Sequence, residues 1–171
     1  VDHHVGEILA TLKETGADQN TIVVLWGDHG WHLGEHAIDG KPCLLEEALR
    51  SPLVISAPGM KHPGEKSQAI IETVDLFPTL CDLTGLAQPD FVDGTSLLPQ
   101  MNRPDVRGHT AYAYTNKAET LRTDRFRCTL HEDGGTELYD HRSPEKEALN
   151  VAAKYPEKVA ELKRLLSEMR D

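Results

Sequence analysis

An aspartate and a histidine stand side by side at the end of an apolar segment, and together they are suited to bind a metal ion. The segment 21–26 is apolar and β-branched, and Asp28 and His29 follow it after one glycine. A carboxylate and a neutral imidazole can share one divalent ion; oxygen ligands suit Ca²⁺ or Mg²⁺, whereas imidazole suits Zn²⁺ or Mn²⁺. Two residues do not complete a metal site, so further ligands must come from elsewhere. The alternative is a loop-capping aspartate beside an ordinary turn histidine.

The loop that follows offers three more residues that could act on an anion or a proton. Lys41 ends a glycine- and histidine-rich loop over 31–41 and could neutralise an anion or stabilise charge on a leaving oxygen. His32 and His36 could line a pocket or donate a proton. The alternatives are a solvated lysine and two structural or exposed histidines.

For four arginines the sequence favours a structural role over a functional one. Arg50 follows Glu46 by four residues, which predicts an ion pair on a short helix. Arg122, Arg125 and Arg127 alternate with other residues near the end of the chain. We expect them to form a solvated face, with contact to an anionic substrate from its rim as the alternative.

The elements that must position these residues follow an α/β order. The apolar run at 21–26 is typical of a strand buried on both faces in a parallel sheet, with its polar residues at the carboxyl end. Before it, the pattern predicts an N-terminal helix with an apolar stripe of Val5, Ile8, Leu9 and Leu12. After it, the pattern predicts a short helix before Arg50 and a strand at 52–57. A helix at 76–84, capped by Thr73 or Asp75, and a connecting loop over 86–108 follow.

From residue 109 the pattern changes to short strands separated by polar turns. Strands are predicted at 109–116, 119–123, 126–131 and 136–139, followed by a helix at 156–169. This order is typical of an antiparallel meander with a helix packed on it.

Composition narrows the function classes. The chain has 171 residues, 39% of them hydrophobic, and a net charge of −10, so it can form a core but is a poor general binder of nucleic acid. Neither an apolar run long enough to span a bilayer nor a signal peptide is visible.

Cys43, Cys81 and Cys128 form no metal or disulfide pattern and are expected to be free or buried thiols. The first residues lie within a helical pattern, so we expect a fragment of a longer chain.

Several segments, in order, resemble a known family. TIVVLWGDHGWHLGEH and GKPCLLEEALRSPLVISAPG are followed by TVDLFPTLCDLTGL, DGTSLLP, LRTDRFRCTL and ELYDHRSPEKEALNVA. Together they resemble the C-terminal half of type I sulfatases, in the alkaline phosphatase superfamily, and the Asp-His variant looks most like enzymes of the iduronate-2-sulfatase type.

The resemblance implies roles for four residues. Asp28 and His29 match two ligands of a divalent metal, usually Ca²⁺, and Lys41 matches the lysine that contacts the sulfate group and the bridging oxygen. His36 matches a loop position beside the pocket. The family's formylglycine nucleophile arises in a C/S-x-P-x-R motif that this chain lacks. In the family that motif, with the remaining metal ligands, precedes the part represented here.

The same resemblance implies an architecture and a setting. Residues 1–108 would be the C-terminal part of a mixed α/β sheet with flanking helices, and residues 109–171 a small antiparallel sheet with a terminal helix. The implied function is hydrolysis of a sulfate ester, with a sulfated small molecule or saccharide as substrate and the N-terminal part of the same sulfatase as partner. The chain alone is expected to be inactive. Family members usually carry signal peptides, so the parent would be extracytoplasmic: periplasmic, secreted or lysosomal.

Two other readings stay open. Phosphonate monoester and phosphodiester hydrolases of the same superfamily share the Asp-His-Gly segment and would use Mg²⁺ or Mn²⁺. The other reading is a non-catalytic module that keeps the fold and has lost the chemistry.

Overall fold

A computed structural model describes residues 1–169, so the last two residues of the predicted second region lie outside the described part. The elements, in chain order, are α1 (Asp2–Glu14), β1 (Val23–Trp26), β2 (His32–Leu33), β3 (Asp39–Gly40), α2 (Glu46–Leu49), β4 (Leu53–Ser56), α3 (Leu76–Thr84), α4 (Leu98–Asn102), β5 (Ala111–Tyr114), β6 (Ala118–Arg122), β7 (Phe126–His131), β8 (Thr136–Asp140) and α5 (Pro156–Glu168). The mixed α/β class and the small antiparallel sheet with its C-terminal helix are confirmed.

Strands β1 and β4 form a two-stranded antiparallel pair, in which Val23 lies opposite Ser56 and Trp26 opposite Leu53. The prediction that 21–26 pairs as a parallel strand buried on both faces is therefore wrong for this pair. Trp26 is 44% exposed and Val54 59% exposed. An apolar run reports that a strand has apolar neighbours, but not which strand pairs with it or in which direction.

The predicted loop over 31–41 contains a small hairpin. Strands β2 and β3 pair antiparallel, with His32 opposite Gly40. His36 and Ala37, at the tip, have φ values of 56° and 58°, in the left-handed region that side chains other than glycine seldom adopt. Each strand has only two residues, which is too few to give a periodic pattern.

The α3 segment is close to its prediction, although the capping differs. The Asp75 side chain is fully buried and accepts the Glu72 and Thr95 N–H groups, at 2.7 and 2.8 Å. Glu72 and Asp75 form a reciprocal capping box on the turn that leads into α3. The predicted connecting loop over 86–108 contains a short helix, α4, which the prediction missed.

The C-terminal meander has the strand order β5-β6-β7-β8, all antiparallel, as predicted. Helix α5 packs across it, and the shared core consists of Leu121, Phe126, Cys128, Leu138, Leu162 and Leu166. Across residues 1–169 the structure contains no helix with the length and apolar character needed to cross a membrane.

Candidate functional site

Asp28 and His29 occupy a turn that is held against two neighbouring segments. The Gly27 N–H donates to the Pro52 carbonyl at 3.0 Å, and the Gly30 N–H donates to the Ala48 carbonyl at 2.8 Å. A Cβ atom at Gly30 would lie 2.0 Å from the Glu47 carbonyl oxygen, so only glycine permits this close approach. The turn is therefore fixed on β4 at one end and on α2 at the other.

The two side chains converge on one point. Asp28 Oδ2 and His29 Nε2 lie 3.3 Å apart. His29 Nδ1 lies 2.7 Å from the Gly30 carbonyl oxygen, which must accept a proton from it. The lone pair of His29 is therefore on Nε2, facing Asp28. A backbone carbonyl that holds the other ring nitrogen in this way is the usual second contact of a metal-binding histidine.

Lys41 joins this pair from the far end of the hairpin. Its Nζ lies 2.6 Å from His29 Nε2, to which the ammonium donates. The structure thus brings together Asp28, His29 and Lys41, three of the four residues to which the resemblance assigns roles.

These donor atoms fit a divalent cation. Asp28 and His29 would hold the cation, because a carboxylate oxygen and an imidazole lone pair are both ligands of divalent ions. Asp28 is exposed, so its carboxylate is free to turn toward an ion. If His29 Nε2 held the cation, the Lys41 ammonium would be available to bind an anion beside it.

His36 lies beside an acidic residue of α2. Its Nε2 is 3.8 Å from Glu47 Oε2, and Glu47 Oε2 is buried with no hydrogen-bond partner. Asp28, His29 and His36 line one large cleft, of about 1800 Å³, that continues to the C-terminal sheet. His36 therefore shares the cleft with Asp28 and His29, but no hydrogen bond joins it to either of them.

His32 has a structural role in the hairpin. It is fully buried; its Nδ1 lies 3.3 Å from the Glu35 carbonyl and its Nε2 lies 3.1 Å from Cys43 Sγ. Both ring nitrogens are engaged, which fits the structural alternative. All three cysteines are free thiols, and Cys81 and Cys128 are buried, as expected.

The structure contradicts two predictions for the arginines, the Arg50–Glu46 ion pair and the solvated face. Glu46 pairs with Arg122 and Arg127, and no Arg50–Glu46 ion pair occurs among residues 1–169, so that prediction is wrong. Arg127 is 2% exposed and Arg125 pairs with Asp140, so the three sheet arginines do not form a solvated face.

A buried network around Glu46 and Glu147 was missed from the sequence. Arg127 Nη2 lies 2.6 Å from Glu46 Oε2, and Arg127 Nε lies 2.5 Å from Glu147 Oε1. His141 Nε2 is 3.0 Å from the same Glu147 oxygen. Burial opposes ionisation of Glu147, but the His141 hydrogen bond and the Arg127 charge outweigh it and lower the pKa of Glu147 to about 2.

The network contains two groups with metal-ligand character. Glu46, His141 and Glu147 form one, and His36, Glu47 and Glu147 form the other. Arg127 binds both carboxylates of the first group and Arg122 binds Glu46, so two guanidinium groups match the two carboxylates without an ion. Neither group has a signal in the sequence, because Glu147 lies about 100 positions from Glu46 and from Glu47.

Comparison with known proteins identifies a protein family whose model matches the first half of the chain. Residues 1–86 match the family model described as Sulfatase. A curated sulfatase of Formosa agariphila is 36% identical over 172 residues, which cover 97% of this chain and 33% of that protein. The chain thus spans about a third of the length of the curated relatives that it matches.

Two solved structures match nearly the whole chain. One is a protein in complex with its substrate D-glucosamine-2-N,6-O-disulfate, with a TM-score of 0.89 and 31% identity, over 99% of this chain and 38% of that chain. The other is the phosphonate monoester hydrolase of Silicibacter pomeroyi, with a TM-score of 0.85 and 32% identity, also over 99% of this chain and 38% of that chain.

Proposed function

The chain belongs to the sulfatase family, and we propose that it is the C-terminal portion of a sulfuric ester hydrolase that acts on a sulfated carbohydrate. One observation carries the proposal: Lys41 Nζ, His29 Nε2 and Asp28 Oδ2 meet at distances of 2.6 and 3.3 Å. A carboxylate, an imidazole lone pair and an ammonium at one point suit the joint binding of a cation and an anion.

Asp28 and His29 would hold a divalent cation, for which we propose Ca²⁺. When bound, the cation would supply positive charge that offsets the negative charge of the sulfate oxygens. The Gly30 carbonyl keeps the His29 ring in the required tautomer. Asp28 supplies the oxygen ligand that a hard cation prefers.

Lys41 would bind the sulfate group and its bridging oxygen. An ammonium is a compact charge that stabilises an oxygen on which negative charge develops as the ester bond breaks. Its position at the end of β3, beside His29, allows it to move from the imidazole to an anion without rearrangement of the hairpin.

His36 is proposed as a second polar group of the cleft, placed to donate a proton to the leaving oxygen. Glu47 Oε2, buried at 3.8 Å from His36 Nε2, would orient the ring. The left-handed backbone at His36 and Ala37 supports a constrained position, because such strain persists only where surrounding contacts maintain it.

The substrate class and the partner are part of the proposal. A carbohydrate fits because a structural relative was solved with a sulfated glucosamine as its substrate. The formylglycine and remaining metal ligands would come from an N-terminal part of the same sulfatase, and this chain alone would be inactive. We further propose regions at 1–108 and 109–171, as inferred from the sequence, and an extracytoplasmic location.

A second candidate is a phosphonate monoester or phosphodiester hydrolase that uses Mg²⁺ or Mn²⁺. It is favoured by the likeness to the phosphonate monoester hydrolase of Silicibacter pomeroyi, which is as similar in sequence as the sulfated-glucosamine-bound structure. Asp28, His29 and Lys41 would serve either ester, since sulfate and phosphonate are both anions that need charge neutralisation.

The test is a comparison of esters in the complete enzyme. We expect sulfate esters to be hydrolysed faster than phosphonate monoesters and phosphodiesters, with loss of activity on chelation and recovery with Ca²⁺. Lys41→Ala should lower kcat about 10²–10³-fold, whereas Lys117→Ala, at an exposed turn, should change it little. Faster hydrolysis of phosphonates with Mn²⁺ would favour the second candidate, and equal activity of Lys41→Ala and wild type would argue against both.

A further inference from the structure

We propose that Arg127, in the C-terminal sheet, is a positioning residue for Asp28, His29 and Lys41, acting through helix α2. Arg127 does not contact any of these three residues. The inference rests on the proposed function only in that it assigns these residues to one binding site.

The first step is the contact between Arg127 and α2. The guanidinium is 2% exposed, and its fork binds two carboxylates at once, Glu46 Oε2 at 2.6 Å and Glu147 Oε1 at 2.5 Å. A buried arginine with both ends engaged cannot reach a substrate. Its geometry instead fixes the distance between α2 and the loop after β8.

The second step is the hold on the backbone of α2. Glu147 Oε2 accepts the N–H of Glu46, the first residue of α2, at 2.7 Å. Arg122 Nε adds a bond to Glu46 Oε2 at 3.2 Å, and His141 Nε2 lies beside Glu147. The four-residue helix is thus held through a side chain by arginines of the sheet and through a backbone amide by Glu147 of the loop after β8.

The third step links α2 to the candidate ligands. The Gly30 N–H binds the Ala48 carbonyl in α2, and the Glu47 carbonyl oxygen occupies the space of a Cβ atom at Gly30. The Gly30 carbonyl in turn accepts from His29 Nδ1. A shift of α2 would therefore move Gly30, and with it the ring that carries the metal-facing lone pair.

The same helix follows Lys41 closely. Only four residues separate Lys41 from Glu46, and the Cys43 N–H binds the Lys41 carbonyl at 2.8 Å. Leu44, within this link, is buried. The short connection passes any displacement of α2 to the ammonium as well.

Arg127→Lys is the sharpest variant, because it keeps the charge and removes the fork. A single ammonium cannot span Glu46 and Glu147 as the guanidinium does. Arg125→Lys is the matched control: Arg125 lies two residues away, binds Asp140 through its own fork, and does not contact α2. Arg127→Lys removes a fork that joins two carboxylates, and Arg125→Lys removes a fork on a single carboxylate next to the same strand.

The experiment measures three quantities in the complete enzyme: the Ca²⁺ concentration for half-maximal activity, kcat and KM separately, and amide exchange of residues 27–49. We expect Arg127→Lys to raise the Ca²⁺ requirement about tenfold, as loss of a contact behind a metal ligand does, and to speed exchange of the Gly30 amide. Arg125→Lys should change each quantity less than about twofold.

The inference is overturned if Arg127→Lys folds and matches Arg125→Lys in all three readouts. If Arg127→Lys does not fold, Glu46→Gln replaces it, because this variant keeps the backbone bond to Glu147 and weakens only the side-chain contact to the arginines. A faster Gly30 exchange in Glu46→Gln supports the inference, and unchanged exchange contradicts it. Absence of ester hydrolysis in the wild type would instead reject the proposed function, and amide exchange would still decide the coupling.

Discussion

The regions 109–169 and 1–108 bury their apolar residues to different extents. In the C-terminal region Leu121, Cys128, Leu138 and Leu166 are fully buried between the meander and α5. In the first region Leu25, Trp26 and Val54, on β1 and β4, are 47%, 44% and 59% exposed. Leu25 and Val54 lie directly opposite each other across the pair and so share one face. Exposed apolar surface of this kind marks a place where other structure packs.

The difference shows that the candidate site lies in the region with less core of its own. Asp28, His29 and Lys41 all belong to the first region, where few hydrophobic residues are buried. Their position depends on contacts from outside: the ion pairs of the C-terminal sheet on one side and, by proposal, the N-terminal part of the sulfatase on the other.

Amide exchange of the 171-residue chain should give the largest contrast. We expect the amides of β6 and β7 to exchange only on global unfolding, because they lie in the centre of a four-stranded sheet. Amides of β1 and β4, in a two-stranded pair, should open at a free energy lower by on the order of 5 kcal/mol. Exchange mass spectrometry measures both sets of amides. Equal protection of β6–β7 and β1–β4 would contradict the difference in stability between the two regions.

A pair of leucine substitutions tests the cores directly. Leu138→Ala should lower the free energy of unfolding by about 2–5 kcal/mol, because the side chain is fully buried. Leu25→Ala, at a half-exposed position, should cost less than about 1 kcal/mol. Urea denaturation measures both, and a larger loss for Leu25→Ala would show that the first region has the more important core.

Acid should weaken the contact between the regions. The pKa of Glu147 is lowered to about 2, so the stability it contributes is present above its ordinary value near 4.5 and is lost as the pH falls toward 2. The loss amounts to about 3 kcal/mol. We expect the thermal midpoint of wild type to fall over this range and that of Glu147→Gln to start lower and fall less; parallel curves would exclude Glu147 as the cause.

A smaller loss of stability is expected as the pH rises through the pKa of His109. His109 Nε2 lies 2.7 Å from Asp75 Oδ2 and its Nδ1 lies 3.0 Å from the Thr110 carbonyl. Burial opposes the charged ring, but the Thr110 carbonyl and the carboxylates of Asp75 and Glu72 outweigh it and raise the pKa of His109. This contribution is present below the ordinary histidine pKa of about 6.5 and is lost as the pH rises through the raised value.

His109→Gln tests that contact, because glutamine keeps a donor and cannot titrate near neutral pH. The wild-type thermal midpoint should decline above about pH 6.5 more steeply than that of the variant. His131→Gln, on β7, is the control, since His131 faces Glu137 within the sheet and lies away from the junction. An equal decline in all three proteins would mean that His109 does not hold the regions together.

Local patterns sufficed for most of the elements. The stripe in α1, the alternation in the meander and the periodicity of α5 are all short-range signals, and the observed bounds are close to those predicted. The antiparallel pairing of β1 with β4 was missed because it depends on a partner about 30 positions away, and β2, β3 and α4 because each is only two to five residues long.

The site could be predicted in part. Asp28 and His29 are adjacent, so their convergence needs only a turn. Lys41 was an anion-binding candidate from its place at the end of the loop, and only its contact with a sulfate group was taken from the resemblance to sulfatases. The Arg127 network could not be predicted, because Arg127 lies 20 positions from Glu147 and 81 from Glu46, and an arginine in a strand looks the same whether it faces solvent or a carboxylate.

The ion pairs around Arg127 also bear on the design of chimaeras. A crossover near residue 108 would appear natural, because the C-terminal sheet begins just beyond it. Yet Glu46 lies before that crossover and its partners Arg122 and Arg127 lie after it. A transplanted sheet would leave its guanidinium groups facing a foreign helix, so the smallest portable module is the sheet together with α2, a unit that is continuous in space and interrupted in sequence.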